Sequence, residues 1–341
     1  MGAASTEGTT AAGAAGATDT ADAAGAAGAG GWDAPIEQVT IVGRGALGLL
    51  FAELIETGLG EGSVCFLVSD ERARAYAARP EPTINGRPSC FPVVGASQAT
   101  PADLVIVCVK SPALAEVVDV MAGAVGPRTR LVSFMNGITS EEVLAARYGW
   151  ERTALSIVQG MDAAYIAGAL TYSHVGEVRL GAAEGTAPGV VESIAALLAR
   201  CGISHVVEAD IRHRLWVKFM LNVGINQTCM AYGGTYGSVT DPEGEQYRCF
   251  LAAMREAQVV ARAEGVTIDE DDFRAMATIA RTLDPAGMPS MAQDRVNQNP
   301  SEVELFSGTI IRLAEKHGIL VPTNRWLHER ICAIEAAYPA R

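Results

Sequence analysis

The chain has 341 residues, 49% hydrophobic and 19% charged, enough for two domains and a substantial core. Its formal net charge of -13 argues against nucleic acid or an anionic membrane surface as a partner. With no apolar run of about eighteen residues, no membrane-spanning helix is expected.

Residues 1–35 read as a disordered Ala/Gly-rich tail, with too little apolar bulk for a core. They have neither the basic nor the leucine-rich segment of a secretory signal. The start MGAAST matches a myristoylation pattern at Gly2 and Thr6, a match that low complexity produces by accident.

From Ile36 the pattern becomes α/β. VTIVGRGALGLLFAELIETG gives a short apolar strand, a glycine turn and an amphipathic helix. SVCFLV is a second strand with a helical ERARAYAAR behind it, ADLVIVCVK a third, and TRLVSFMNG a fourth. TALSIVQ, EVRLG and HVVEA are further strands, with a helix over VVESIAALLARCG. Short apolar strands alternating with helices predict a parallel α/β sheet for a domain over 36–208. Beyond it, over 209–341, strand-like runs disappear. Helices are expected at 211–232, 243–265, 269–283, 302–317 and 323–338, separated by turn signals such as GGTYGS, DPAGMPS and NQNPSE. This makes an all-helical C-terminal domain, with the ligand cleft at the junction.

Gly43-Arg44-Gly45-Ala46-Leu47-Gly48 fits G-x-G-x-x-G between a strand and a helix, the context in which the motif holds a pyrophosphate. A purely structural turn is the bland alternative. The end of the second strand leaves the cofactor open: Asp70 suits a ribose 2′-hydroxyl, as in NAD(H), while Arg72 and Arg74 suit the 2′-phosphate of NADP(H).

The 26 basic residues include only three lysines, Lys110, Lys218 and Lys316. Against that arginine bias, a retained lysine is a candidate for giving up a proton, which arginine cannot do. Lys316 lies in a surface-like AEKHG segment, but Lys218 sits within the apolar RLWVKFMLNVGINQT. Lys218, Asn222 and Asn226 share one helix face at four-residue spacing. A snorkelling lysine is the bland reading, and the two amides on its face favour an oxygen-rich ligand instead. The seven cysteines are scattered and read as reduced, buried thiols of a cytoplasmic protein. The five histidines show no metal-ligand spacing, so no metal is expected.

Several spaced segments together resemble the ketopantoate reductase (2-dehydropantoate 2-reductase) family. They are GRGALG, the lysine of VIVCVK, the MNG of SFMNG, LWVKFMLNVGIN, and PSMAQDRVNQNPSEVELFSG followed by HGILVPTN. The resemblance runs from Gln38 to the end of the chain. It implies that the domain over 36–208 is a Rossmann dinucleotide-binding domain. It also implies reduction of ketopantoate to pantoate by NADPH, with NAD(H) still open, at a cleft between this Rossmann domain and the helical one. It further implies that Lys218 is the general acid and Glu302 the acidic partner. Asn222, Asn226 and Ser290 then bind substrate, and Lys110 and Asn136 lie on the cofactor side. Read without the family, Glu302 is equally a first-turn acid of a helix, Ser290 a turn residue and Asn136-Gly137 a turn pair. Ser69 and Asp70 stand where the family often has arginine, and Tyr236 where it often has a substrate-binding asparagine. The expected partner is a small 2-oxo acid, with a homodimer as an option. The rival readings are a reductase of another 2-oxo or hydroxy acid and a non-catalytic dinucleotide-binding protein.

Overall fold

The computed structural model describes residues 31–339, so the expectations for a disordered tail and for Gly2 concern residues that lie largely outside the described ones. Residues 31–35 are described and are not tail-like. The side chain of Arg130, itself buried, donates to the Trp32 carbonyl (2.6 Å) and to the Ala34 carbonyl (2.6 Å). The Trp32 ring also lies under the Arg152 guanidinium. A buried cation that needs acceptors thus draws this segment onto the domain, and the tail boundary at residue 35 is too late.

In chain order the N-terminal domain comprises β1 (Val39–Val42), α1 (Ala46–Leu59), β2 (Val64–Val68), α2 (Asp70–Ala77), β3 (Thr83–Ile84), β4 (Arg87–Pro88) and β5 (Val93–Gly95). It continues with β6 (Leu104–Val107), α3 (Leu114–Val120), β7 (Arg130–Ser133), α4 (Ser140–Tyr148) and β8 (Thr153–Met161). β9 (Ala164–Ile166), β10 (Ala169–Thr171), β11 (Val175–Ala182), α5 (Val190–Arg200) and β12 (His205–Val207) complete it. The main sheet has the order β12-β11-β8-β7-β6-β1-β2-β5. It is mixed rather than parallel throughout: the six strands from β8 to β5 are parallel, but β11 runs antiparallel to β8. The short link between these two strands, carrying only β9 and β10, leaves no crossover helix to return the chain in parallel. β3, β4, β9 and β10 form a separate small sheet whose two- and three-residue strands are too short to show any alternation.

The main sheet is covered on both faces. Leu49, Leu50 and Phe51 of α1 pack with Val190 and Ile194 of α5 on one side. Leu114 and Val117 of α3 and Leu144 of α4 pack on the other. The chain moves outward from β1 to β2 and then returns to β6 on the opposite side of β1, so the strand order reverses at the β1/β6 boundary. In such sheets the crevice at the C-terminal ends of these strands is the ligand site.

The second domain is helical: α6 (Ile211–Tyr232), α7 (Tyr236–Val239), α8 (Glu245–Ala263), α9 (Glu270–Ala280), α10 (Ser290–Val296), α11 (Thr309–His317) and α12 (Pro322–Glu335). A π-helical turn, Glu304–Gly308, leads into α11. Three readings change here. Ser290 opens a helix instead of sitting in a turn, the GGTYGS turn runs into α7, and the helix expected at 302–317 is interrupted by the π turn. α6 begins at Asp210, whose carboxylate accepts from the His213 amide (2.9 Å), and ends at Gly233 in the left-handed region. Its first turns dock on the N-terminal sheet through Ile211 and Leu215 against Leu155 and Ile157. Its later turns are buried among α8, α10 and α12 through Phe219, Met220, Val223 and Met230. One helix is therefore anchored in both domains, which fixes where Lys218 points.

Candidate active site

The glycine turn follows β1 at the strand-order reversal. Gly43 has φ +114°, and a Cβ there would lie 2.5 Å from the Cys108 carbonyl oxygen. A Cβ on Gly48 would lie 1.9 Å from the Gly43 carbonyl oxygen, so α1 packs against the turn only because Gly48 has no side chain. At Gly45, the residue before α1, a Cβ would meet nothing within 4 Å, and no side chain caps the helix. This combination gives an open cradle before free helix N–H groups, the requirement for a pyrophosphate. The residues present fit a dinucleotide.

The cleft beside this cradle has a volume of about 350 Å³. It is lined by Gly43, Arg44 and Gly45 from the turn, Ser69 and Arg72 behind β2, and Lys110 behind β6. Ala46, Leu47 and Gly48 do not line it and serve as helix start and packing. The Arg44 guanidinium is buried, paired with Glu81, and stands 5.1 Å from the Tyr76 ring centroid. Arg44 is thus a wall of the cleft, held in place before any ligand arrives. Asp70, the expected ribose-binding acid, is engaged elsewhere. Its Oδ1 accepts from the Ser97 amide and the Ser97 hydroxyl, both at 3.0 Å, and these bonds hold its carboxyl below the usual range. Arg72 faces the cleft instead.

A second cavity of about 650 Å³ lies between the domains. Lys218, Asn222 and Asn226 line it from α6, Ser290 from the start of α10 and Asn136 from the loop after β7. The four-residue spacing read from sequence thus becomes one polar stripe on the cavity wall. Lys218 Nζ donates to the Val158 carbonyl oxygen (2.8 Å) and to Asn136 Oδ1 (3.3 Å). Burial lowers its pKa to about 8, opposed by the negative charges of Glu302 and Glu141. Ser290 Oγ donates to Asn226 Oδ1 (3.4 Å), whereas the Asn222 side chain has no hydrogen-bond partner among the described residues.

Glu302 is buried and reaches both sites. One carboxylate oxygen accepts from the Ser111 amide beside the dinucleotide cleft (3.4 Å), and the other from Asn136 Nδ2 (3.5 Å). Burial raises its pKa; the Asn136 and Ser111 bonds and the charge of Lys110 pull it down. Asn136, expected on the cofactor side, therefore bridges Lys218 and Glu302 with the two ends of one amide. Lys110 donates to Asp294 Oδ1 (2.7 Å), tying the first domain to α10. Nothing in the local sequence pattern of Asp294 distinguishes it from a helical surface acid. Tyr236 lines the interdomain cavity together with Met276, Ile279 and Leu283, an apolar far wall.

Gln227, just past the polar stripe, has a structural role. It is fully buried, its Oε1 accepts from the Ser307 amide of the π turn (3.0 Å), and its Nε2 donates to the Val223 carbonyl (2.7 Å). It thus locks the helix that carries Lys218 to the segment that carries Glu302. Gln227→Leu leaves the Ser307 N–H without its partner, and a loss of about 1–3 kcal/mol is expected in denaturant unfolding.

Among the described residues one His/Cys/Glu cluster has donors close together: Glu304, His328 and Cys332. Glu304 approaches His328 Nε2 (2.9 Å), but Cys332 approaches the opposite nitrogen, Nδ1 (3.8 Å). The imidazole lies between its neighbours, so the arrangement reads as a hydrogen-bonded chain.

The family description "Ketopantoate reductase PanE/ApbA" matches residues 39–185, and "Ketopantoate reductase PanE/ApbA C terminal" matches residues 210–335. The chain belongs to the ketopantoate reductase family. Among relatives, the 2-dehydropantoate 2-reductase of Halobacterium salinarum is 29% identical over 305 residues, covering 86% of this chain and 97% of its own. That of Archaeoglobus fulgidus is 27% identical over 312 residues, covering 88% and 99%. The crystal structure of a PanE/ApbA family ketopantoate reductase from Ralstonia eutropha superposes with a TM-score of 0.74 at 26% identity, covering 88% of this chain and 98% of that one. A D-mandelate dehydrogenase in complex with NADH shares the fold, with a TM-score of 0.78 at 19% identity over 89% of this chain and all of that one. Members of this family are oxidoreductases of the 2-dehydropantoate 2-reductase type, and so is this chain. None of its described helices is long and apolar enough to cross a membrane.

Proposed function

We propose that the chain reduces ketopantoate to pantoate with NADPH, and that Lys218 is the general acid. The observation that carries this reading is Lys218 itself: a desolvated amine, held between the Val158 carbonyl and Asn136, on the wall of a cavity that also presents Asn222, Asn226 and Ser290. Bound NADPH supplies a hydride. The glycine turn and α1 would hold its pyrophosphate, and Arg72 with Ser69 its ribose 2′-phosphate.

As the substrate carbonyl carbon gains the hydride, its oxygen acquires negative charge. Lys218 stabilises that charge and donates a proton to the oxygen, leaving a neutral amine that solvent reprotonates. The atoms balance as a 2-oxo acid, a hydride and a proton becoming a 2-hydroxy acid. Asn222 and Asn226 supply hydrogen bonds to substrate oxygens, with Ser290 supporting Asn226. Glu302 keeps a negative charge near Lys218 and, through Asn136, orients its ammonium. Because Lys218 must be protonated to act, and its pKa is lowered to about 8, activity is retained below that value and lost as pH rises through it. A kcat/KM profile against pH checks this limb.

The cofactor reading has its own test. With Asp70 committed to Ser97 and Arg72 facing the cleft, Arg72→Glu is expected to lower the NADPH-to-NADH preference by about 10–100-fold, the worth of one or two charge-assisted hydrogen bonds. Comparison of kcat/KM with both cofactors measures it.

The Tyr236, Met276, Ile279 and Leu283 wall favours a second reading, in which the substrate is a 2-oxo acid with a larger apolar side chain. A panel of 2-oxo acids run with NADPH and NADH separates the two. Ketopantoate ranking first supports the first reading, and a bulkier acid ranking first replaces it.

A further inference from the structure

Lys218 has a second carboxylate neighbour besides Glu302, and that neighbour lies behind the sheet edge instead of in the cavity. β7 ends at Ser133 while β8 runs on to Met161, and the last paired residues between them are Val132 and Ala154. Beyond Ala154 the β7-facing edge of β8 has no strand to bond with. Side chains complete it. The Ser156 hydroxyl donates to the Ser133 carbonyl, the Ser156 amide donates to Glu141 Oε1 (3.4 Å), and the Val158 carbonyl accepts from Lys218 (2.8 Å). Main-chain groups two residues apart in a strand point to the same edge, and a strand rises ~3.3 Å per residue. The Glu141 carboxylate and the Lys218 ammonium therefore occupy successive places on one edge, roughly 9 Å apart.

Glu141 is 3% exposed, so it carries one of the few deeply buried carboxylates among the described residues. Ser140 Oγ donates to its second oxygen (2.7 Å) and is itself held by Ser133 Oγ (2.8 Å), an arrangement that favours the ionised form. Burial works the other way and pushes its pKa up to about 7, so the carboxylate is mostly charged in the range where Lys218 titrates. Behind Glu141 lies a separate cavity of about 530 Å³, where the charged groups are Glu142, Glu184, Glu264, Arg212 and Arg312. On the Lys218 side they are Glu302, Arg179 and Arg214, the two arginines being paired with Glu208.

We propose that Glu141 is a positioning residue that acts through the open edge of β8 to hold Lys218 in its charged, proton-donating form, without touching substrate or cofactor. This inference rests on the reading of Lys218 as the acid, and the test separates the two. With only three lysines in the chain, the side-chain ammonium resonances of the full-length protein are few enough to titrate individually, Lys218 being assigned by its loss in Lys218→Arg. Glu141→Gln is expected to lower the Lys218 midpoint by about one pH unit, the size of an ion–ion interaction at this separation in a partly polar interior. Glu141→Asp is expected to restore most of it. The basic limb of kcat/KM should move with the midpoint. A Lys218 midpoint unchanged in folded Glu141→Gln overturns the proposal. A midpoint that moves while the limb does not supports the Glu141 coupling and overturns the acid role of Lys218. Should Glu141→Gln fail to fold, Lys218→Met decides, because the coupling is reciprocal. The Glu141 carboxyl midpoint must then rise, and an unchanged value overturns the proposal.

Discussion

Lys218→Ala is expected to lower kcat on ketopantoate by about 10²–10⁴, with dinucleotide binding and the unfolding midpoint nearly unchanged. The effect falls on kcat because the proton is needed only as negative charge develops on the substrate oxygen. Stability should be spared, because the amine gives up much hydration for two hydrogen bonds, to Val158 and Asn136, at the edge of a cavity that water can enter when Lys218 is shortened. Lys218→Arg should fail almost as badly. Arginine keeps the charge but does not release a proton in this pH range. Steady-state kinetics beside thermal unfolding of the three proteins check the set; an alanine variant with near-full kcat removes Lys218 from the chemistry.

The second large effect concerns the glycine turn, where the three glycines should respond differently. Gly45→Ala meets no atom within 4 Å, so the fold is expected to survive, but the new methyl group occupies the cradle before α1. Dinucleotide affinity should fall by at least about tenfold, the loss of one good hydrogen bond to a charged group. Gly48→Ala instead drives a methyl group into the Gly43 carbonyl, 1.9 Å away, and Gly43→Ala adds the strain of φ +114°. Both are expected to lower stability itself by about 1–3 kcal/mol. Titration of NADPH by fluorescence, beside denaturant unfolding, separates lost affinity from lost fold. Equal loss of stability in all three variants would mean that the turn is only a packing device.

Much of this arrangement is legible in the residues, for identifiable reasons. The Rossmann strands are short apolar runs between turn signals, and the G-x-G-x-x-G turn carries its own steric logic, so β1, α1 and the cradle follow from the sequence. The Lys218, Asn222 and Asn226 stripe survives intact because α6 is regular over all three residues. What sequence periodicity cannot show is how side chains meet across elements. The family resemblance puts Asn136 on the cofactor side, and by its residues alone Asn136-Gly137 is a turn pair. Only the fold brings its amide between Lys218 and Glu302. Asp70 stands at the expected ribose position, yet Ser97, twenty-seven residues later, claims its carboxylate. Glu141 carries no signal in the sequence, since the event that gives it meaning is the early end of β7 beside a longer β8. Ser290 reads as a turn residue because its helix is one of the shortest in the domain, seven residues. Trp32 and Ala34 are lost to the tail for a similar reason: their anchor, Arg130, lies about a hundred residues away.

The central claim is that a buried lysine of lowered pKa donates the proton during hydride transfer to a 2-oxo acid. Its most direct measurement is kcat/KM for ketopantoate with NADPH as a function of pH. Turnover with a falling limb near pH 8, the value set by the desolvated Lys218 amine, is the expected result. A profile that stays flat well into the alkaline range, with ketopantoate turning over normally, would contradict it.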